Sequence, residues 1–303
     1  MQTETIITSI SEYIQIICKE NTKIEKNAVF QDQKLLFRGQ ANCNFELIPS
    51  IGRNRSSSVS CSIFNEERNL IEMAKIKLPD IFHEHLSPVE LLALLQHYGI
   101  PTRLLDITEN ALVALYFACC NNEHEDGEVF VFKSNNTDIT NYPVINAIAD
   151  SYRFTRGTWT HLSLFYGNVK RQPYFLEQAQ TLEICHEDDK CGGEWIADCC
   201  KKIMYIYAPI RSTRQQAQQG RYILFPNHID NETFNEGCFE WIIDPIPKDH
   251  PDIIARIIIP KKIKKQLLSD LSVLGITEDV LFCDSIDTVC KGILNSFNRQ
   301  YYK

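Results

Sequence analysis

Residues 87–120 constrain the fold more than any other part of the chain. Ser87-Pro88-Val89-Glu90 is a helix entry: a serine N-cap, proline at the first helical position and a carboxylate in the first turn. The helix it opens carries Leu91, Leu92, Leu94 and Leu95 and is expected to stop near Gly99, ahead of Pro101. Thr102 to Ile107 then reads as extended, and Asn110 to Cys120 as a helix with almost no polar face. A helix without a polar face belongs inside a protein, buried on most sides. The chain must therefore build a core large enough to enclose it.

At 303 residues, with a hydrophobic fraction of 44% and a charged fraction of 23%, it has the material to do so as one large domain. Ile6, Ile10, Ile14 and Ile17 lie at helical spacing and predict an N-terminal helix, over about 5–20, within a segment 1–30 that packs on a main domain of 31–303. Leu35-Leu36-Phe37-Arg38 reads as a strand ending at Gly39, residues 63–76 as a helix ended by Pro79, and 128–132 as a strand after the turn at Gly127. The stretch 135–200 has no clean period. Met204 to Ala208, Tyr222 to Phe225 and the β-branched run Ala255 to Ile259 read as strands, and 261–274 and 285–297 as closing helices. Helices cluster early and strands late, which predicts an α+β fold with a mixed or antiparallel sheet.

Composition narrows the function classes. With 39 acidic and 31 basic residues the net charge is −8, a balance that sets up no field for gathering nucleic acid or anionic lipid. The run Lys261-Lys262-Ile263-Lys264-Lys265 reads as a solvated helix face. No apolar stretch reaches the roughly 20 residues of a membrane span, and no signal peptide is evident, so the expected compartment is the cytoplasm. Twelve cysteines lack paired CxxC spacing; they are expected to be reduced thiols, and no metal ligands are assigned, the most suggestive cluster being Cys185-His186, Cys191 and Cys199-Cys200.

The chemistry-bearing stretches are Phe37-Arg38-Gly39-Gln40, the segment from Gln96 to Asp106, the helix that follows, and Arg214 to Phe225. Each mixes polar groups with special backbone residues at the end of a regular element. Arg38 and Asp106 invite two readings, ligand contact or a buried ion pair, and Arg103 the same, with Asp106 or Glu109 as its partner. Gly39 would permit close approach of a ligand to the backbone, and Gly220 a turn into the next strand. His97 is either a core-edge histidine or a general base.

The strand ending in Phe37-Arg38-Gly39, followed by Leu47-Ile48-Pro49-Ser50, resembles the opening motif of the FRG-domain family. The stretch QHYGIPTRLLDITENALVALYFA resembles that family's second and longest motif. AQQGRYILF and the pattern Leu271…Leu274-Gly275-Ile276 fit later positions, so the resemblance runs from about 30 to 295. Ile107 stands where the family usually has tryptophan, and Ala111 where proline is common.

More distantly, the layout is similar to that of ADP-ribosyltransferases. That similarity implies NAD as substrate, with no other cofactor, and an arginine on the first strand, matched by Arg38. It implies a bracing hydroxyl, matched by Thr102 or else Thr108, and a later glutamate, whose place is taken by Gln218. His97 would support catalysis, while Phe37, Gly39, Gln40, Gln96, Tyr98, Arg103, Asp106 and Gly220 would bind ligand. A neutral amide stabilises developing positive charge less than a carboxylate does. Two functions therefore stand side by side. One is nucleotide binding with ADP-ribosyl transfer, in bacterial (phage) defence or a toxin system. The other is a non-catalytic module that senses a ligand or partner.

Overall fold

The computed structural model describes residues 3–27, 34–53, 63–134, 143–155, 159–176, 188–209 and 212–282. In chain order the elements are β1 (Thr3–Ile6), α1 (Ile10–Asn27), β2 (Lys34–Gln40), α2 (Glu67–Lys77), α3 (Pro88–His97), β3 (Leu104–Thr108), α4 (Ala111–Cys119), β4 (Gly127–Ser134), α5 (Pro143–Ala149), β5 (Trp159–His161) and α6 (Leu162–Val169). There follow α7 (Asp189–Cys200), β6 (Met204–Ile206), α8 (Thr213–Ala217), β7 (Gly220–Leu224), β8 (His228–Ile229), β9 (Cys238–Glu240), β10 (Ile253–Ile259), α9 (Lys264–Val273) and α10 (Glu278–Leu281). The fold is α+β.

Seven strands form one mixed sheet in the order β1-β10-β4-β2-β3-β7-β6, and β5-β9-β8 form a small second sheet. Within the large sheet β1 and β10 run parallel, and the other neighbours are antiparallel. Strands and helices interleave instead of separating into early helices and late strands. The first expected helix gives up its start to β1, because Thr3–Ile6 pairs with Ala255–Ile258, and the helix begins at Ile10.

Strand alternation divides the core. Leu35 and Phe37 of β2, with Val129 and Val131 of β4, pack under α1, α4 and α9. Leu36, Phe130 and Phe132, one residue out of step, face the opposite side. There they meet Leu47, Ile48, Ile51, Phe64, Trp241 and Ile243 from irregular segments. Beside the β3-β7-β6 half, Leu104, Tyr222, Leu224 and Ile206 join a third cluster, built from α2, α3, α5, α6 and α7.

The helix without a polar face is α4, and it is buried as expected: Val113, Ala114, Leu115 and Ala118 are fully enclosed. Its seating on the sheet depends on two glycines. A Cβ on Gly39 would stand 1.8 Å from the Ala114 carbonyl oxygen, and one on Gly127 would stand 2.2 Å from that of Ala118. The helix backbone thus rests on the strands where side chains are missing.

Two charged hubs lock the layers. Arg103, fully buried, donates from Nε to Glu67 Oε1 at 2.8 Å and from Nη1 to Asn227 Oδ1 at 3.1 Å, joining β3 to α2 and to the turn after β7. Its partner is neither Asp106 nor Glu109. Glu128, equally buried, takes Lys248 and Arg256 at 2.6 Å each. Lys264 is not on a solvated face: it is 1% exposed, and its Nζ donates to the carbonyls of Ala41 at 2.7 Å and Asn122 at 3.2 Å.

Among the described residues no helix is long and apolar enough to cross a membrane, and no group of three His, Cys, Asp or Glu side chains is placed to hold a metal. Cys185, His186 and the helix expected over 285–297 lie outside the described residues.

Candidate functional site

The sheet comes apart at its centre. β2 pairs with β4 along its whole length, from Lys34–Ser134 to Gln40–Glu128. β3 pairs with β7 from Leu104–Leu224 to Thr108–Gly220. Between β2 and β3, however, the register holds a single pair, Phe37–Thr108. Past that point the two strands diverge. A cavity of about 660 Å³ opens there, lined by Phe37, Arg38, Gly39, Gln40 and Ala41 on one side and by Asp106, Ile107 and Thr108 on the other.

Arg38 sits in the gap. Its Nη1 donates to the backbone carbonyl of Asp106 at 2.5 Å, replacing the ladder bond that the divergence removes. Its Nε is buried with no hydrogen-bond partner, and no protein acceptor among the described residues takes Nη2. Burial pushes the guanidinium down to about 10; the Asp106 carboxylate opposes this, and Arg53 adds to it. A buried donor left unmade costs roughly 1–3 kcal/mol, so Arg38 is placed at some expense to the fold.

α3 supplies the adjoining wall. Its N-terminus is fixed by the expected serine cap, elaborated into a reciprocal box: Ser87 Oγ accepts from the Glu90 amide, and the Glu90 carboxylate accepts from the Ser87 amide. Its last turn delivers Gln96 and His97 to the cavity. Gly99 then ends the helix with φ +82°, a conformation that glycine adopts without strain. Gln96 Nε2 donates to Asp106 Oδ1 at 2.9 Å, and Gln96 Oε1 accepts from the Thr102 hydroxyl at 2.5 Å.

The far wall comes from α8, the turn after it and β7. Arg214, Gln215, Gln218 and Tyr222 line it. The Arg214 guanidinium lies 4.7 Å from the centre of the Phe282 ring, which meets Phe117 of α4 edge-on. Gln218 Nε2 donates to the Leu281 carbonyl at 2.9 Å. Thr108 Oγ1 donates to the Gln218 carbonyl at 2.6 Å and accepts from the Asn110 amide at 2.9 Å. At the mouth stand Asn44, Glu46 and a half-exposed Phe45. That loop is held at its base: Gln40 Nε2 donates to the Phe45 carbonyl, and Lys248 Nζ to that of Cys43. The lining carries three guanidiniums, Arg38, Arg53 and Arg214, against two carboxylates, Glu46 and Asp106. Guanidiniums thus outnumber carboxylates in the lining by one.

Of the residues expected from sequence, Phe37, Arg38, Gly39, Gln40, Gln96, His97, Asp106, Gln218 and Gly220 line this one cavity. Three stand elsewhere. Thr102 is buried behind Gln96, Arg103 is consumed by Glu67, and Tyr98 is 56% exposed, outside the lining. The alternative hydroxyl, Thr108, does line the cavity, although its hydrogen bonds tie β3 to α8 and α4. Gly39 is required by the close packing of α4. Gly220 has no positive φ; the left-handed residue at that turn is Gln219, at φ 47°.

Sequence reasoning did not assign Arg53, Arg214, Phe45 or Phe117 to the site. Arg214 and Phe117 fall inside stretches that stand out by pattern, but a helix face and an apolar run give no sign of which member meets a cavity.

Residues 33–127 match the family model of the FRG domain. The match spans β2, α3, β3 and α4, which include Arg38, Gln96, His97 and Asp106; it stops short of the α8–β7 wall and covers less than the 30–295 read from sequence pattern. No curated protein and no solved structure matches the chain.

Proposed function

We propose that this FRG-domain chain binds a phosphate-bearing, NAD-like nucleotide in the cleft between β2 and β3, with Arg38 as its main anchor. The observation that carries the reading is the state of Arg38: half-buried, its buried Nε without a partner and, among the described residues, bonded through Nη1 alone, and set where the sheet divides. An anion at its Nη edge would compensate the buried charge through a charge-assisted hydrogen bond. Arg53 and Arg214 extend the positive lining, and Phe45 and Phe117 offer aromatic surface for a base. The cavity volume of about 660 Å³ lies within the range of small-molecule sites.

Binding without turnover is the function we favour. Both threonine hydroxyls matched to the transferase layout are engaged in internal hydrogen bonds, and the Gln218 amide donates to α10. The defence setting implied by the resemblance belongs to this proposal, with the cleft as the sensor of a nucleotide signal. ADP-ribosyl transfer is a second reading, favoured by the Asp106 carboxylate in the cavity beside Arg38. Calorimetric titration with NAD and ADP-ribose, followed by assay of released nicotinamide, separates the readings. Binding without release supports the sensor, and release supports transfer. Absence of binding at millimolar ligand overturns both.

A further inference from the structure

We infer that Asp106 is the group by which this cleft selects a ribose hydroxyl, and that Thr102 and Gln96 form a buried brace that presents it. The inference rests on the nucleotide reading above and adds the chemistry of the ligand's sugar.

The brace is directional. Thr102 Oγ1 accepts the Leu104 amide at 3.2 Å, which leaves its own proton for Gln96 Oε1 at 2.5 Å. A threonine hydroxyl has a single proton to donate, so Gln96 must turn its carbonyl towards Thr102 and its NH₂ towards Asp106. Gln96 Nε2 then holds Asp106 Oδ1 at 2.9 Å. Thr102 is 1% exposed, so water does not compete for this chain of donors at its root.

Asp106 itself is exposed to the cavity, and among the described residues no protein donor takes its Oδ2. An ionised carboxylate accepts and cannot donate, so it must be matched by donors on the ligand. The pyrophosphate linkage of NAD has none at neutral pH; a ribose diol has two hydroxyls. Arg38 bonds the carbonyl of the same residue, so an anion-binding group and a hydroxyl-binding group stand side by side. A ribose phosphate carries a partner for each. An analogue lacking the hydroxyl would leave the carboxylate facing the ligand without a donor, and sites of that kind discriminate strongly.

The test compares NAD with analogues lacking the 2′- or 3′-hydroxyl on either ribose, by calorimetry. The wild type is expected to bind NAD at least tenfold tighter than one of these analogues. Asp106→Ala should bring that ratio within twofold. Thr102→Val should lower it several-fold although Thr102 cannot touch the ligand, and Thr102→Ser should restore it. NAD binding with no discrimination among analogues, or with discrimination intact in Asp106→Ala, overturns this inference while the nucleotide reading stands. No NAD binding by the wild type removes both.

Discussion

Asp150 carries the clearest ionisation cost outside the cleft. Burial pushes its carboxyl up to about 6; Arg153 and the Tyr174 hydroxyl, which donates to Oδ2 at 3.1 Å, offset only part of the penalty. A carboxyl whose folded pKa is raised favours the protonated form, so the native state binds more protons than the unfolded chain between about pH 4 and 6. Stability is therefore lost as pH rises through that window, and the cost is constant above it. Asp150→Asn keeps an acceptor for Tyr174 and Arg153 and removes the charge. It should stabilise the protein by roughly 1–3 kcal/mol at pH 7.5, and the gain should shrink towards zero near pH 4. Urea unfolding at the two pH values measures both figures; an equal effect at both would contradict the account. Arg38 shows the same burial cost with the opposite sign of charge. Its guanidinium is pushed down to about 10, so at neutral pH it remains charged and the fold bears the penalty.

At the scale of elements, the seating of α4 on β2 and β4 is the most exposed to a single change. Gly39→Ala places a methyl inside the backbone of Ala114, where no side chain can yield. The helix or the strand must shift, at a cost of several kcal/mol, beyond the usual ~1–3 kcal/mol of overpacking. The expected outcome is loss of soluble, cooperatively folding protein, read by circular dichroism during thermal melting; a variant that melts as the wild type does would refute the packing assigned to Gly39.

The same elements show what sequence could reveal. The cap at Ser87, the stop at Gly99 and the apolar α4 were legible because they rest on local chemistry that each residue carries with it. β1 was not, because four residues next to a helix become a strand only through pairing with β10, some 250 positions away. Arg103 was assigned to the wrong partner for a similar reason. Glu67 lies 36 residues upstream, and only the packing of α2 brings it to β3. Arg38, Gln96 and Asp106 stood out because they are polar residues set in apolar, motif-bearing stretches, and all three line the cavity.

Across the whole molecule, the divided sheet is the feature on which the proposed binding site depends. Seven strands share one sheet, yet among the described residues the ladder between β2 and β3 holds a single pair, Phe37–Thr108, and the cavity opens beside it. Arg38 fills a position that a continuous sheet would have given to a backbone hydrogen bond. The most direct test is one thermal-melting experiment on the wild type and Arg38→Met, each with and without saturating NAD. Methionine keeps much of the volume and removes the desolvated charge with its unpartnered Nε. The variant without ligand should melt at or above the wild-type temperature. NAD at about 100 times its dissociation constant should stabilise the wild type by about 2.7 kcal/mol and leave the variant unmoved. A variant that melts well below the wild type, yet gains as much from NAD, would make Arg38 a structural strut and contradict the account.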